Sequence, residues 1–141
     1  MNAASTMLLA LLPNGGHLIT TSDCFYGTQQ FINTFLPRLG ITTTVIDPAD
    51  VATLEQALQK HHPVTLFFSE SPTNPLLRCL DIPRVVELCH ARGCLVAVDA
   101  TFATPINYQP LKLGVDLVMH SATKYLAGHH DVLAGAIAGE P

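Results

Sequence analysis

A doubly wound, mostly parallel α/β sheet is the fold this sequence predicts. Three observations lead to it. Short β-branched or apolar runs recur along the chain: His17 to Thr21, Ile41 to Ile46, Val64 to Phe68, Cys94 to Val98 and Asp116 to His120. Stretches with helical periodicity and capping residues lie between them, and strands alternating with helices imply parallel pairing. Polar residues also gather just after successive strands: Tyr26, then Glu70 and Asn74, then Asp99 and Thr101, then Ser121, Thr123 and Lys124. Each group falls at a carboxyl end, where open α/β sheets bind ligands, so all can converge on one crevice.

Taken in order, Met1 to Leu12 is rich in Ala, Leu and Met with no breaker before Pro13, which predicts a helix. It is apolar almost all round, which predicts full burial, and its N-terminus is suited to facing an anion. Pro13-Asn14-Gly15-Gly16 is a turn before the first strand. Asp23 to Thr28 leads into a helix reaching about Leu36, and Gly40 closes that region. Asp50 is the expected N-cap of a helix whose apolar stripe is Val51, Leu54 and Leu58. His61-His62-Pro63 ends it, with the histidine pair expected in solvent. Ser69 to Pro75 is a proline-stiffened loop. Asp81 then caps a helix with Pro83 in its first turn, running to Arg92 and stopped by Gly93. Ala100 to Pro110 reads as a loop and Leu111 to Leu113 as part of a short helix. A last strand is expected over Val132 to Ala138.

Composition narrows the function classes. The 141 residues are 48% hydrophobic and 13% charged. That is apolar for a free-standing domain of this length, because small domains keep a large surface-to-volume ratio. Either the sheet is covered on both faces, or further chain or a partner covers surface. A formal charge of −4 without a basic patch argues against nucleic acid. The longest apolar run, Met7 to Leu12, is far too short to span a bilayer, and the start lacks the charged n-region of a signal peptide. Cys24, Cys79, Cys89 and Cys94 form no CxxC pair, so reduced cytosolic thiols are expected. Cys89-His90 with Cys94 lacks two-by-two zinc spacing, and no metal site is expected.

The stretch that organises the chain is Ser121-Ala122-Thr123-Lys124-Tyr125-Leu126-Ala127-Gly128-His129-His130, directly after the apolar run Asp116 to His120. It puts an amine and short hydroxyls together at a strand's carboxyl end. Alone, Lys124 could be an ordinary lysine, Asp99 a turn cap, Tyr26 a core residue and Asn74 a turn former beside Pro75. Asp116 to His130 as a whole, however, resembles the lysine signature of the Cys/Met-metabolism family of pyridoxal-phosphate (PLP) enzymes. Three further stretches share the resemblance: Asp23 to Thr28, Glu70-Ser71-Pro72-Thr73-Asn74-Pro75, and Val98-Asp99-Ala100-Thr101-Phe102-Ala103-Thr104-Pro105.

The resemblance implies the large domain of the aspartate aminotransferase-like fold, fold type I, with pyridoxal 5'-phosphate as cofactor. It implies that Lys124 links covalently to the cofactor and serves in catalysis, that Asp99 pairs with the pyridine nitrogen, and that Tyr26 stacks on the ring and takes part in catalysis. Ser121 and Thr123 then suit the phosphate, Asn74 the phenolic oxygen, and Thr101 and Met1 complete the cofactor set. Met1 aligns with the methionine of the family's Ser-Gly-Met phosphate-binding turn.

Within the family, Ile46 to Asp50, Phe67 to Glu70 and Leu77 to Ile82 look most like the plant-type cystathionine γ-synthases. This implies replacement at the γ-carbon of an activated homoserine by cysteine. The alternatives are β- or γ-elimination from cystathionine or methionine, sulfhydrylation of an acylated homoserine, and, in another class, an inactive remnant serving assembly. The implied partners are amino-acid substrates and further copies of the chain, as dimer or tetramer, in the cytoplasm or, in a plant, the plastid. Family members are far longer, so residues 1–141 are expected to form the central part of the PLP domain and to hold the cofactor poorly by themselves.

Overall fold

The computed structural model describes residues 1–48, 50–61, 63–129 and 131–139. Ala49, His62 and His130, read above as parts of a turn, a helix end and the lysine stretch, lie outside the described residues. The elements run α1 (Asn2–Leu11), β1 (His17–Thr21), α2 (Tyr26–Thr34), a 3-10 turn (Leu36–Leu39), β2 (Thr42–Ile46), α3 (Val51–Lys60), β3 (Leu66–Glu70), α4 (Ile82–His90), β4 (Leu95–Asp99), α5 (Thr104–Asn107), a second 3-10 turn (Pro110–Leu113), β5 (Leu117–His120) and β6 (Ala136–Gly139). The predicted caps form: the Asp50 carboxylate accepts the Thr53 N–H at 3.2 Å, and Asp81 accepts that of Arg84 at 3.3 Å.

The strands form one sheet in the order β2-β1-β3-β4-β5-β6. All pairings are parallel except β5 with β6. Side-chain alternation divides the apolar residues between two faces. Leu18, Leu66, Phe68, Ala97 and Met119 pack with α1 and α2, while Ile19, Phe67, Val96, Val98 and Val118 pack with α3 and α4. Helices on both faces leave β1 and β3 buried at every residue, including the polar His17, Thr20, Thr21, Ser69 and Glu70. The chain winds outward from β1 to β2 and returns to β3 on the other side. The strand order therefore reverses between β1 and β3, the point where doubly wound sheets open a crevice.

Several expectations are corrected. α1 buries Ala4, Met7 and Leu8 but leaves Leu9 41% exposed, so it is covered on one face only. The stretch expected as a loop over 100–110 contains the short α5. α4 ends at His90, because Ala91 to Gly93 turn back to bring Cys94 N–H onto the Cys89 carbonyl. The last strand begins at Ala136 and runs antiparallel to β5. His61 is not in open solvent: its ring stacks on that of His17, centroids 4.3 Å apart and 8° from parallel.

His17 lies in β1, its Nδ1 2.6 Å from the Thr42 hydroxyl and its Nε2 2.9 Å from that of Thr44. Burial, and then repulsion from His61, push its imidazole down from the ordinary 6.5. The native state thus binds fewer protons here than the unfolded chain. The stability this site contributes is full above about pH 6.5 and is lost as the pH falls through the lowered value. Replacing His17 by Gln should therefore flatten the acid-side loss of stability, read as the urea midpoint at pH 7.5 and pH 5.5. An unchanged loss would show that His17 does not titrate with folding.

Candidate active site

The reversal between β1 and β3 brings four loops to one edge of the sheet. A cavity of 860 Å³ opens there, lined by Phe25 after β1, Glu70 and Asn74 from β3 and its loop, Asp99 and Thr101 at the end of β4, and Ser121, Thr123 and Lys124 after β5. Met1, the N-cap of α1, also lines it. The sequence-predicted residues Lys124, Asp99, Asn74, Thr101, Ser121, Thr123 and Met1 thus share one pocket. Tyr26 differs: it is the first residue of α2, is 74% exposed and is absent from the lining, whereas its neighbour Phe25 belongs to it. Tyr26 takes no part in the core that the described residues form.

The floor of the pocket is acidic. Glu70 and Asp99 are register partners on adjacent strands and are 6% and 8% exposed. Burial, followed by the charge of Asp99, pushes the Glu70 carboxyl up from 4.5 to about 7. Burial likewise raises Asp99, despite hydrogen bonds from Thr101 that favour its charged form. His120 attracts Asp99, but burial pushes this imidazole down, toward neutrality. Keeping such acids ionised at neutral pH costs stability, so the chain gives up stability to hold two of them together here. For Glu70 that stability is full below about pH 4.5 and is lost as the pH rises through about 7.

Thr101 fixes one of these acids. Its N–H donates to Asp99 Oδ1 at 2.9 Å and its hydroxyl donates to the same oxygen, while that hydroxyl accepts the Ser121 N–H at 2.7 Å. One side chain therefore joins the ends of β4 and β5, and Asp99 is at once a turn cap and a pocket wall. Thr123 is also engaged: its hydroxyl donates to the Ala134 carbonyl at 3.1 Å and accepts the Ala134 N–H at 3.0 Å. The lysine turn is closed by Lys124 N–H to the Ser121 carbonyl and Gly128 N–H to the Lys124 carbonyl. Across the pocket mouth, the ring of Tyr125 meets Phe102 edge-on at 6.5 Å. Among the described residues no group of three His, Cys, Asp or Glu is gathered as for a metal ion, and His90 is turned onto Asp116 at 2.9 Å. No helix among the described residues is long and apolar enough to cross a membrane.

The Cys/Met metabolism PLP-dependent enzyme family matches the chain over residues 1–141. The chain belongs to this family. Its amino-acid sequence is 62% identical over 139 residues to a chloroplastic cystathionine γ-synthase 1 of Nicotiana tabacum, covering 99% of this chain and 26% of that protein. It is 40% identical to a cystathionine γ-lyase of Bacillus subtilis, covering 96% of this chain and 35% of that one. The crystal structure of metB from Corynebacterium glutamicum superposes with a TM-score of 0.95 at 35% identity, covering 100% of this chain and 36% of that one. The chain spans about a quarter to a third of the length of these relatives. The fold is therefore the fold type I α/β architecture, and the family's cofactor is pyridoxal 5'-phosphate.

The pocket fits that cofactor on its own chemistry. A buried pair of acids in want of a positive charge suits a protonated pyridine nitrogen. A lysine lines the same cavity, and the Ser121 hydroxyl carries no hydrogen bond among the described residues, leaving it able to donate to a phosphate. In the sequence Glu70 is one polar residue among several and has no assigned role. The sequence pattern places it in the loop after Phe68, whereas β3 extends through Ser69 to Glu70.

Replacing Thr101 by Val keeps the shape but removes the hydroxyl shared by Asp99 and the Ser121 N–H. It should destabilise the full-length protein by about 1–3 kcal/mol in a denaturant titration. A loss below a few tenths of a kcal/mol would show that other groups hold β4 and β5 together.

Proposed function

We propose that residues 1–141 form the central part of the PLP domain of an enzyme that replaces the γ-substituent of an activated homoserine with cysteine, giving cystathionine. The observation that carries the cofactor reading is Asp99, buried at the end of β4 in the cavity that Lys124 also lines. Bound PLP supplies the electron sink for chemistry at the substrate's α- and γ-carbons. Asp99 would hold the ring nitrogen protonated, and Lys124 would anchor the cofactor and then carry protons between substrate carbons, a task suited to an amine whose pKa shifts readily on burial. Tyr26 would cover the ring from α2, Asn74 would hold its phenolic oxygen, and Ser121, Thr123 and the α1 N-terminus at Met1 would hold the phosphate. Thr123 would do so by redirecting its bond from Ala134. Thr101 would act through Asp99.

The synthase reading over elimination follows the similarity, 62% to the synthase of tobacco against 40% to the lyase of Bacillus subtilis. A remnant without activity is disfavoured by the joint presence of Lys124, Asp99 and Tyr26. The same reading makes the full-length protein a homo-oligomer, dimer or tetramer, whose assembly would cover the exposed apolar Phe25, Ile106 and Leu133. It places the protein in the cytoplasm or, in a plant, the plastid.

Borohydride reduction of the full-length protein loaded with PLP should fix the cofactor to Lys124, read by peptide mapping. Label on Lys60 or Lys112 would overturn the assignment. Lys124→Ala should abolish cystathionine formation from cysteine and an activated homoserine. Oxo-acid release from cystathionine by the wild type, without the synthetic reaction, would favour the lyase reading instead.

A further inference from the structure

We infer that Glu70 is a positioning residue: reaching across the reversal between β1 and β3, its carboxylate holds the start of α2 and so sets where the α2 backbone carries Tyr26 relative to the pocket. The inference rests on the reading of this pocket as the PLP site. Glu70 Oε2 accepts the Phe25 N–H at 3.0 Å, joining residues 45 apart in sequence. The Asn74 N–H also favours the charged form of this carboxylate.

α2 needs such an anchor. Its N-cap is Phe25, which has no side-chain acceptor, and no side-chain cap bond forms there. The first N–H groups of a helix have no partner within it and its N-terminus carries positive partial charge. Glu70 supplies both the acceptor and the opposing charge from another strand. Tyr26 follows Phe25 directly and is largely exposed, so packing does not fix its ring. The placement of the α2 backbone is what fixes it. Thr21 and Ser69 hydroxyls, 2.6 Å apart, tie the same two strands one step deeper, but they do not reach the helix. A neutral acceptor would avoid the repulsion between Glu70 and its register partner Asp99, yet the acid stands there.

The test is a double-mutant cycle in the full-length protein, comparing wild type, Glu70→Gln, Tyr26→Ala and the double variant. PLP affinity and the near-ultraviolet circular dichroism of the bound cofactor are measured for each. Glu70→Gln removes the charge and puts an amide N–H2 in place of one of the two acceptor oxygens. It should weaken PLP roughly threefold to tenfold, at the lower end of the range for coupled neighbours, and change the dichroism of the bound ring. In the Tyr26→Ala background it should have almost no further effect. In the cofactor-free protein, the Phe25 amide should exchange faster in Glu70→Gln than in wild type. Should that variant fail to fold, Glu70→Asp carries the same test, since it keeps the charge and withdraws the acceptor from Phe25 by one methylene. Wild-type affinity and dichroism in the Glu70 variant, or effects that multiply independently with Tyr26→Ala, would overturn the inference. Failure of the wild type to bind PLP would overturn the site reading and this inference with it.

Discussion

Two carboxylates stand side by side at the carboxyl edge of the sheet, and the arrangement around the pocket depends on them. Glu70 and Asp99 are brought together because β3 and β4 are adjacent, parallel and in register through their last residues. Both are buried; the imidazole that attracts Asp99 is itself pushed toward neutrality, and the Met1 ammonium attracts Asp99 more weakly. Like charges in low dielectric raise each other's pKa and cost stability. Perturbed acids in a cleft are a physical mark of function.

The rest of the fold serves that edge. Two buried faces make β1, β3 and β4 rigid, so the residues at their ends are set by backbone geometry rather than by loops. Thr101 locks Asp99 to the β5 end, and Glu70 locks the β3 end to the start of α2. The lysine turn is closed by its own backbone bonds. Arg78, from the loop after β3, adds a third link, with Nη1 3.2 Å from Asp47 after β2 and Nε 3.5 Å from Asp23 after β1. The Arg78 pairs are partly exposed and contribute modestly, but they tie the ends of three neighbouring strands.

Much of this is legible in the sequence where local rules decide. Asp50 and Asp81 announce their helices because capping is a contact over three residues. β1 is legible through its β-branched residues and β3 through the apolar run that leads into it. Asp99 and Lys124 are legible as a pair only through the motifs around them, since their meeting depends on strand order. What is not legible rests on contacts between distant segments. Glu70 acquires its role from an N–H at Phe25. His61 leaves solvent because β1 presents His17 to it. The one-sided burial of α1 depends on which surfaces the sheet offers, which its own composition does not reveal. α5 is a single turn, too short to leave a periodic signal.

The central claim is that Asp99, buried beside Glu70, is there to hold a positive charge, and the ring nitrogen of the cofactor reports on it directly. The measurement is nitrogen-15 NMR of the full-length protein loaded with PLP labelled at the pyridine nitrogen, in wild type and in Asp99→Asn. The account predicts a protonated nitrogen in wild type throughout the pH range in which the protein is folded, and a neutral one at neutral pH in the variant. A neutral pyridine nitrogen in the wild-type protein would contradict it.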